Sequence, residues 1–376
     1  MSSREEYTSA PLLAEADIPE ALGMHLQELA LRLSGTVYED SFRARDDFIA
    51  ATDPITAALA NSEISTYLDS LKNGSLVGLT LHGLPRDPAL PPAPLNGGRP
   101  DAKLTFVSEA LAIGLAMKLG YPSIILGEKK EQLVHQITPV PGHETSQSNA
   151  GQVSLRLHQD LAPNPELPRR TYHEAMPTWL ILTGVQRGSG TTPTYIAAID
   201  EAIRRVSPTS LDILRQQRFV TNPPDSFLQA MPDAINNLPT HPILLDYEGQ
   251  LEAAFDTSSD VRPMNGAEDT EAMGAIAELN AALDSVKQEV VIEPGTAVIF
   301  NNRRVVHGRG AVVAEENTGN KRWIQRVYVF EPDRLARIAY RNPLLSYQIG
   351  GGLVRISAGY RPIDPRLLEL SGIGQS

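Results

Sequence analysis

Residues 293–309 read EPGTAVIFNNRRVVHGR, and this stretch decides the fold. The run 296–301 is short and β-rich, and the run 304–307 is a second that closes on His307. Turn residues bound both: Pro294-Gly295 before the first, Asn301-Asn302 between them. Working outward, the same texture recurs at 153–157, 178–185, 192–197, 288–292 and 322–330. Helical spacing interrupts it at 198–206, 210–217 and 268–286. Many short strands with turn residues between them predict a mainly β chain, a two-sheet jelly roll or double-stranded β-helix of the cupin-like type.

The first part of the chain differs. Leu22, Leu26, Leu29 and Leu33 fall at helical spacing behind Pro19, and 46–71 reads as two more helices. The segment 75–84 reads as a strand, 85–100 is a Pro- and Gly-rich loop, and 102–119 returns to helical spacing. One catalytic domain is therefore expected over 1–345. Within it, 1–120 is a largely helical preface and 121–345 a jelly-roll core with a helical insert at about 198–286. Residues 346–376, with the triple glycine Gly350-Gly351-Gly352, form a tail packed on that core.

Composition narrows the chemistry. The 376 residues are 41% hydrophobic, enough for a sizeable core, and carry a formal charge of -12. An acidic chain without a basic block is a poor partner for nucleic acid. There is no cysteine, so disulfides, thiolate metal sites and cysteine nucleophiles are excluded, and any metal must be held by His, Asp or Glu. Residues 1–17 hold four acidic residues and no apolar signal core, and the longest apolar stretch, 110–126, is broken by Lys118, Gly and Pro. The expectation is a cytoplasmic protein with no membrane partner. A homo-oligomer is compatible with the sequence.

Eight histidines are present, and two are placed for chemistry. His158 and Asp160, in the run SLRLHQD, are two apart at the end of a strand and so leave the same face. His307 closes a strand far downstream. Two His and one carboxylate on one face of an octahedron form the triad of non-haem Fe(II) oxygenases, which leaves three positions open. On its own, His-x-Asp is more often a surface polar pair than a metal site. What adds weight is Arg322-Trp-Ile-Gln-Arg326, fifteen residues after His307. A keto-diacid that chelates iron with one end needs a planar cationic fork at its other end. Apolar flanks at Trp323, Ile324 and Val327 point to a partly buried pair of arginines.

The run 293–309 with Arg322-Trp-Ile-Gln-Arg326 resembles the distal half-site of clavaminate synthase-like Fe(II)/2-oxoglutarate oxygenases, within the taurine dioxygenase superfamily. The runs 133–144 (LVHQITPVPGHE), 172–185 and 194–198 (TYIAA) resemble segments around the first iron ligand in that group, so the likeness covers roughly 75–345. The resemblance implies Fe(II), 2-oxoglutarate and O₂ as cofactor and cosubstrates, with His158, Asp160 and His307 as ligands. Arg322 with Thr194, or else Thr192, would hold the far carboxylate of 2-oxoglutarate. It further implies hydroxylation of an unactivated carbon of an amino acid or a small relative of one, free or carrier-tethered, with release of succinate and CO₂. For substrate contacts it points to Arg326 for a carboxylate, Ser148 for a hydroxyl contact, and Asp256 and Asp260 for a cationic side chain.

This chain departs from many amino-acid hydroxylases of the group in carrying His-x-Asp where they carry His-x-Glu, and in an insertion at 161–171 where relatives close a lid. The retained Asp160 argues against halogenation, because halogenating relatives lack that carboxylate. A desaturase on the same scaffold, a metal-dependent hydrolase on a cupin scaffold and a non-catalytic jelly-roll binding protein are the competing readings.

Overall fold

The structure is a computed structural model that describes residues 12–33, 42–125, 132–146, 151–160, 176–222, 240–247, 249–256, 261–312, 321–331, 334 and 354–356. Its strands are β1 (Leu13–Asp17), β2 (Gly78–His82), β3 (Tyr121–Ile125), β4 (His135–Ile137), β5 (Leu155–His158), β6 (Trp179–Gln186), β7 (Pro193–Ala198) and β8 (Phe219–Thr221). Then come β9 (Leu244–Tyr247), β10 (Gln250–Ala253), β11 (Val261–Pro263), β12 (Gln288–Val291), β13 (Ala297–Asn301), β14 (Val305–Arg309), β15 (Trp323–Phe330) and β16 (Val354–Ile356). A large sheet runs β1-β2-β13-β6-β15-β3-β16, with β4 also on β15, and a small sheet runs β12-β7-β14-β5. The strands β8 to β11 make two separate two-stranded ribbons.

The helices are α1 (Glu20–Leu31), α2 (Phe42–Ala51), α3 (Asp53–Ala60), α4 (Ile64–Lys72), α5 (Val107–Leu119), α6 (Ile199–Ala202), α7 (Pro208–Leu214) and α8 (Thr270–Val286). Three apolar layers show how helices and sheets stack. Leu180, Leu182, Phe300, Ile324 and Tyr328 of the large sheet share one core with Ile196, Ala198, Val290 and Val305 of the small one. The two sheets therefore face each other. The alternate residues of the large sheet, among them Ile181, Ile299, Val327 and Val329, pack under α1 to α5. On the far side, Ala197 and Val306 of the small sheet pack under α6, α7 and α8. Helix α5 is the innermost helix. Its run VSEALAIGLAMKL is apolar nearly all round, as a helix covered on every side must be.

Helices cover both outer faces and the sheets have open edges, which corrects the expectation of a mainly β chain: the protein is mixed helix and sheet rather than a closed barrel. The largely helical preface holds β2 within the strand expected at 75–84, and a further strand, β1, which pairs in parallel with β2, while β2 pairs with β13. Within the tail, β16 pairs with β3. The stretch 46–71, read as two helices, lies within three. The expected lid at 161–171 lies outside the described residues. Among the described residues no helix is long and apolar enough to cross a membrane.

Candidate active site

Strands β5 and β14 pair so that His307 stands opposite His158, and the two imidazole rings lie 4.3 Å apart between centroids. Gly308 permits that approach, because a Cβ there would meet the Leu155 carbonyl oxygen at 2.8 Å. Along β14, Val305 joins the core between the sheets and Val306 the outer core, so His307 points inward by alternation. Asp160 follows two residues after His158. One ligand atom from each of His158, Asp160 and His307 lies within 4.8 Å of the others. Both imidazole Nε2 atoms converge on one oxygen, Asp160 Oδ1, at 3.4 Å from His158 and 3.9 Å from His307.

The ring of His158 has a defined tautomer. Its Nδ1 lies 2.8 Å from the Arg156 carbonyl oxygen, which only accepts. Nδ1 therefore carries the proton in the neutral ring and the Nε2 lone pair faces Asp160 and His307. Burial and the adjacent His158 push the pKa of His307 down to about 3, so this ring is neutral. Burial also opposes the charged form of His158, but the hydrogen bond and charge of Asp160, with the charge of Asp256, outweigh it and raise its pKa. For Asp160 burial would raise the pKa, yet Arg326 and the two imidazoles hold it well below the usual carboxylate range. An ionised carboxylate and two inward imidazole nitrogens suit a divalent metal of the first transition row. The donor set therefore fits Fe(II).

Two side chains that sequence reading missed fix this triad. Gln159 donates to the Asn302 carbonyl at 2.7 Å and accepts from the Phe255 amide at 2.8 Å. The side chain of Asn302 accepts from the Asp160 amide at 3.0 Å and donates to the Asp160 carbonyl at 2.8 Å. Both are almost fully buried. The only signal in the sequence was the position of Asn302 in the turn between the two decisive strands.

The expected cosubstrate residues gather on the same inner faces. Thr194 lies opposite Arg309 in the β7–β14 pairing, and Ile196 opposite His307. Arg322, half-buried, donates to Thr194 Oγ1 at 3.4 Å. Thr192 and Arg322 both line a cleft together with Gln152 and Lys321. Burial and the charge of Arg309 bring the pKa of Arg322 down to about 9. Among the described residues no carboxylate forms an ion pair with Arg322, so the cradle is cationic.

Arg326 is buried as expected but has a partner that its spacing does not announce. It was read as a second buried cation in need of a substrate carboxylate, but its Nη1 donates to Asp160 Oδ2 at 2.6 Å. Its charge is therefore met by the triad itself, a pairing across two strands that spacing along one strand does not reveal. Asp256 forms an isolated β-bridge with His158, which brings it beside the triad. Ser148 and Asp260 lie outside the described residues.

Comparison with known proteins agrees with this geometry. The chain is 30% identical over 284 residues to an L-asparagine oxygenase of Streptomyces coelicolor, covering 75% of this chain and 78% of that protein. It is 26% identical over 293 residues to an enduracididine beta-hydroxylase of Streptomyces hygroscopicus, covering 73% and 81%. Among solved structures, asparagine oxygenase in complex with Fe(II), 2S,3S-3-hydroxyasparagine and succinate superposes with a TM-score of 0.72 at 25% identity, covering 88% of this chain and 97% of that one. The non-heme iron oxygenase OrfP in complex with Fe and alpha-ketoglutaric acid gives 0.71 at 25% identity, covering 86% and 96%. The model of the taurine catabolism dioxygenase TauD, TfdA family matches residues 142–328, a span that takes in His158, Asp160, Thr194, His307 and Arg322. The chain belongs to the TauD/TfdA dioxygenase family.

Proposed function

We propose that this dioxygenase hydroxylates an unactivated carbon of a small L-amino acid, using Fe(II) held by His158, Asp160 and His307 and 2-oxoglutarate held by Arg322 and Thr194. The observation that carries the reading is the spacing on the small sheet. Ile196 stands opposite His307 and Thr194 opposite Arg309. Two residues of an antiparallel strand span roughly 7 Å. That length suits a five-carbon diacid chelating at the triad while its far carboxylate meets Thr194 and Arg322. When bound, Fe(II) with 2-oxoglutarate and O₂ supplies the oxidising power for C–H hydroxylation, with succinate and CO₂ released. The protein's own share is to orient the cosubstrate by its far end, to present the target carbon, and to keep the cleft between the sheets poor in water.

The substrate reading rests on charge. Arg326 comes from the large sheet and Asp256 lies beside the small one, and both flank the His158–Asp160 pair. With a metal bound, Asp160 would share its charge with the ion, so Arg326 would again offer a cation to a carboxylate while Asp256 offers an anion to an ammonium, and together they complement an α-amino-acid head. The relatives named above act on amino acids, and the retained Asp160 favours hydroxylation over halogenation. In this reading the catalytic unit is a single domain of the double-stranded β-helix type that includes the helices on both outer faces.

The test is a screen of L-amino acids, each beside its carboxamide, for stimulated release of succinate from 2-oxoglutarate under air. A carboxamide as effective as its parent acid would refute the head-group reading. No stimulation by any amino acid, with 2-oxoglutarate still bound, would refute the substrate class.

A further inference from the structure

His135 on β4 stands opposite Arg326 on β15 and is 1% exposed. Its Nδ1 lies 2.9 Å from Arg326 Nη2 and 3.4 Å from Nε. A guanidinium has only N–H donors to offer, so Nδ1 must be the lone-pair nitrogen of a neutral ring that carries its proton on Nε2. The ring is braced edge-on against Tyr328 with centroids 4.9 Å apart, and the Arg326 guanidinium lies over the same Tyr328 ring at 4.5 Å. Arg326 is thus gripped along one edge by His135 and stacked on Tyr328, while its Nη1 reaches Asp160 Oδ2 at 2.6 Å.

The two oxygens of Asp160 consequently have different tasks. Oδ2 is engaged by Arg326, and Oδ1 is the one that both imidazole Nε2 atoms approach. A carboxylate held this way offers a metal a single oxygen, which keeps positions open for a chelating cosubstrate and for O₂. Without the His135 acceptor, the guanidinium can rotate about the long arginine side chain and leave the Asp160 carboxylate free to turn, so that Oδ1 no longer stands where both imidazole Nε2 atoms approach it.

We propose that His135 is a positioning residue of the metal centre: acting through Arg326, it holds Asp160 with Oδ1 turned toward the two imidazoles. The inference rests on the iron reading above, and its test separates the two. Metal affinity is measured with Mn(II) alone, by electron paramagnetic resonance, in the full-length apo protein. His135→Phe keeps the ring edge on Tyr328 but loses the acceptor, and should weaken Mn(II) by ~10-fold or more, the usual scale for outer partners of metal ligands. His135→Asn returns an acceptor near the Nδ1 position and should restore most of the affinity and the wild-type Mn(II) line shape. In an Arg326→Gln background, His135→Phe should add little, because it acts through a guanidinium no longer present.

The inference is overturned if His135→Phe binds Mn(II) like wild type, if His135→Asn is as weak as His135→Phe, or if the two losses add in full. Should His135→Phe not fold, the comparison of His135→Asn with Arg326→Gln decides: retained affinity in the first and loss in the second supports the relay, and equal affinities overturn it. A wild-type protein that binds no Mn(II) at all would instead sink the iron reading.

Discussion

Arg322→Met removes a cation whose presence is costly to the folded protein without an anion. Burial, and then the charge of Arg309, bring the pKa of Arg322 down to about 9. The side chain stays charged at neutral pH, and the displacement measures what that charge costs. At about 1.4 kcal/mol per power of ten, a fall of more than three powers of ten sets a ceiling of roughly 5 kcal/mol. Relaxation and water entry lower the real cost to about 1–3 kcal/mol. Two opposite effects follow. The Arg322→Met apo protein should melt a few degrees higher than wild type, since about 1 kcal/mol moves the midpoint of a large domain by ~2–4 °C. The same variant should bind 2-oxoglutarate about 10- to 150-fold more weakly, the value of a hydrogen-bonded charge at about 1.5–3 kcal/mol. Arg322→Lys keeps the charge but loses the planar fork, so it should gain no stability and bind with intermediate affinity. Differential scanning fluorimetry of the apo protein and anaerobic calorimetry of 2-oxoglutarate into the Mn(II)-loaded protein read the two effects separately. An unchanged affinity, or a lower melting point for Arg322→Met, would refute the reasoning.

Further outcomes follow from neighbouring groups. His307→Ala should abolish both Mn(II) binding and succinate release while the fold survives, because it deletes a ligand from a buried face; wild-type turnover would contradict the triad. Asn302→Leu leaves the amide and carbonyl of Asp160 without their side-chain partners, so unfolding in urea should show a loss of about 2–4 kcal/mol together with weaker metal binding; full stability would show that water replaces both bonds. The pKa of His241 is brought down to about 4 by burial, despite the carbonyl of Pro242 at 2.9 Å. The unfolded chain therefore binds that proton more readily, and stability falls as pH drops from about 6.5 towards 4, by up to roughly 3 kcal/mol. His241→Gln should flatten that part of a urea-midpoint profile, and a profile unchanged by the substitution would count against the assignment.

What could be read from sequence follows from how local each signal is. The strands β13 and β14 announce themselves by composition and by the turn between them, and His307 closes a run whose alternation gives its direction. The pair His158 and Asp160 is equally local. Arg322 was legible for the same reason: apolar neighbours place an arginine on a buried strand. By contrast, β4 is three residues long, too short for any period to show. Strand β1 sits in a segment dominated by helical spacing and is specified by its parallel partner β2. Gln159, Asn302 and His135 are polar residues whose partners lie 143, 142 and 191 positions away in the chain. Nothing in their own neighbourhoods marks them as buried. Arg326 was legible as buried but not as paired, since alternation along β15 gives the face of a side chain but not the anion, Asp160, waiting across the cleft.

That opposite anion bears on how the site and the fold specify each other. The small sheet and the loop at its end supply both imidazoles, Asp160 and Thr194, while the large sheet supplies Arg322 and Arg326. Neither sheet carries a complete site. Asp160 with Arg326, and Thr194 with Arg322, are contacts between the sheets at two levels of the cleft. A buried ion pair adds little to net stability, but it penalises any arrangement that leaves one partner alone. A slip of β15 by one residue would turn both arginines to the outer face. A slip by two would keep them inward but carry each roughly 7 Å along the cleft, parting Arg326 from Asp160 and Arg322 from Thr194 together. In the proposed reading, the length of diacid that the cleft accepts is thus set by the same register that pairs Arg326 with Asp160.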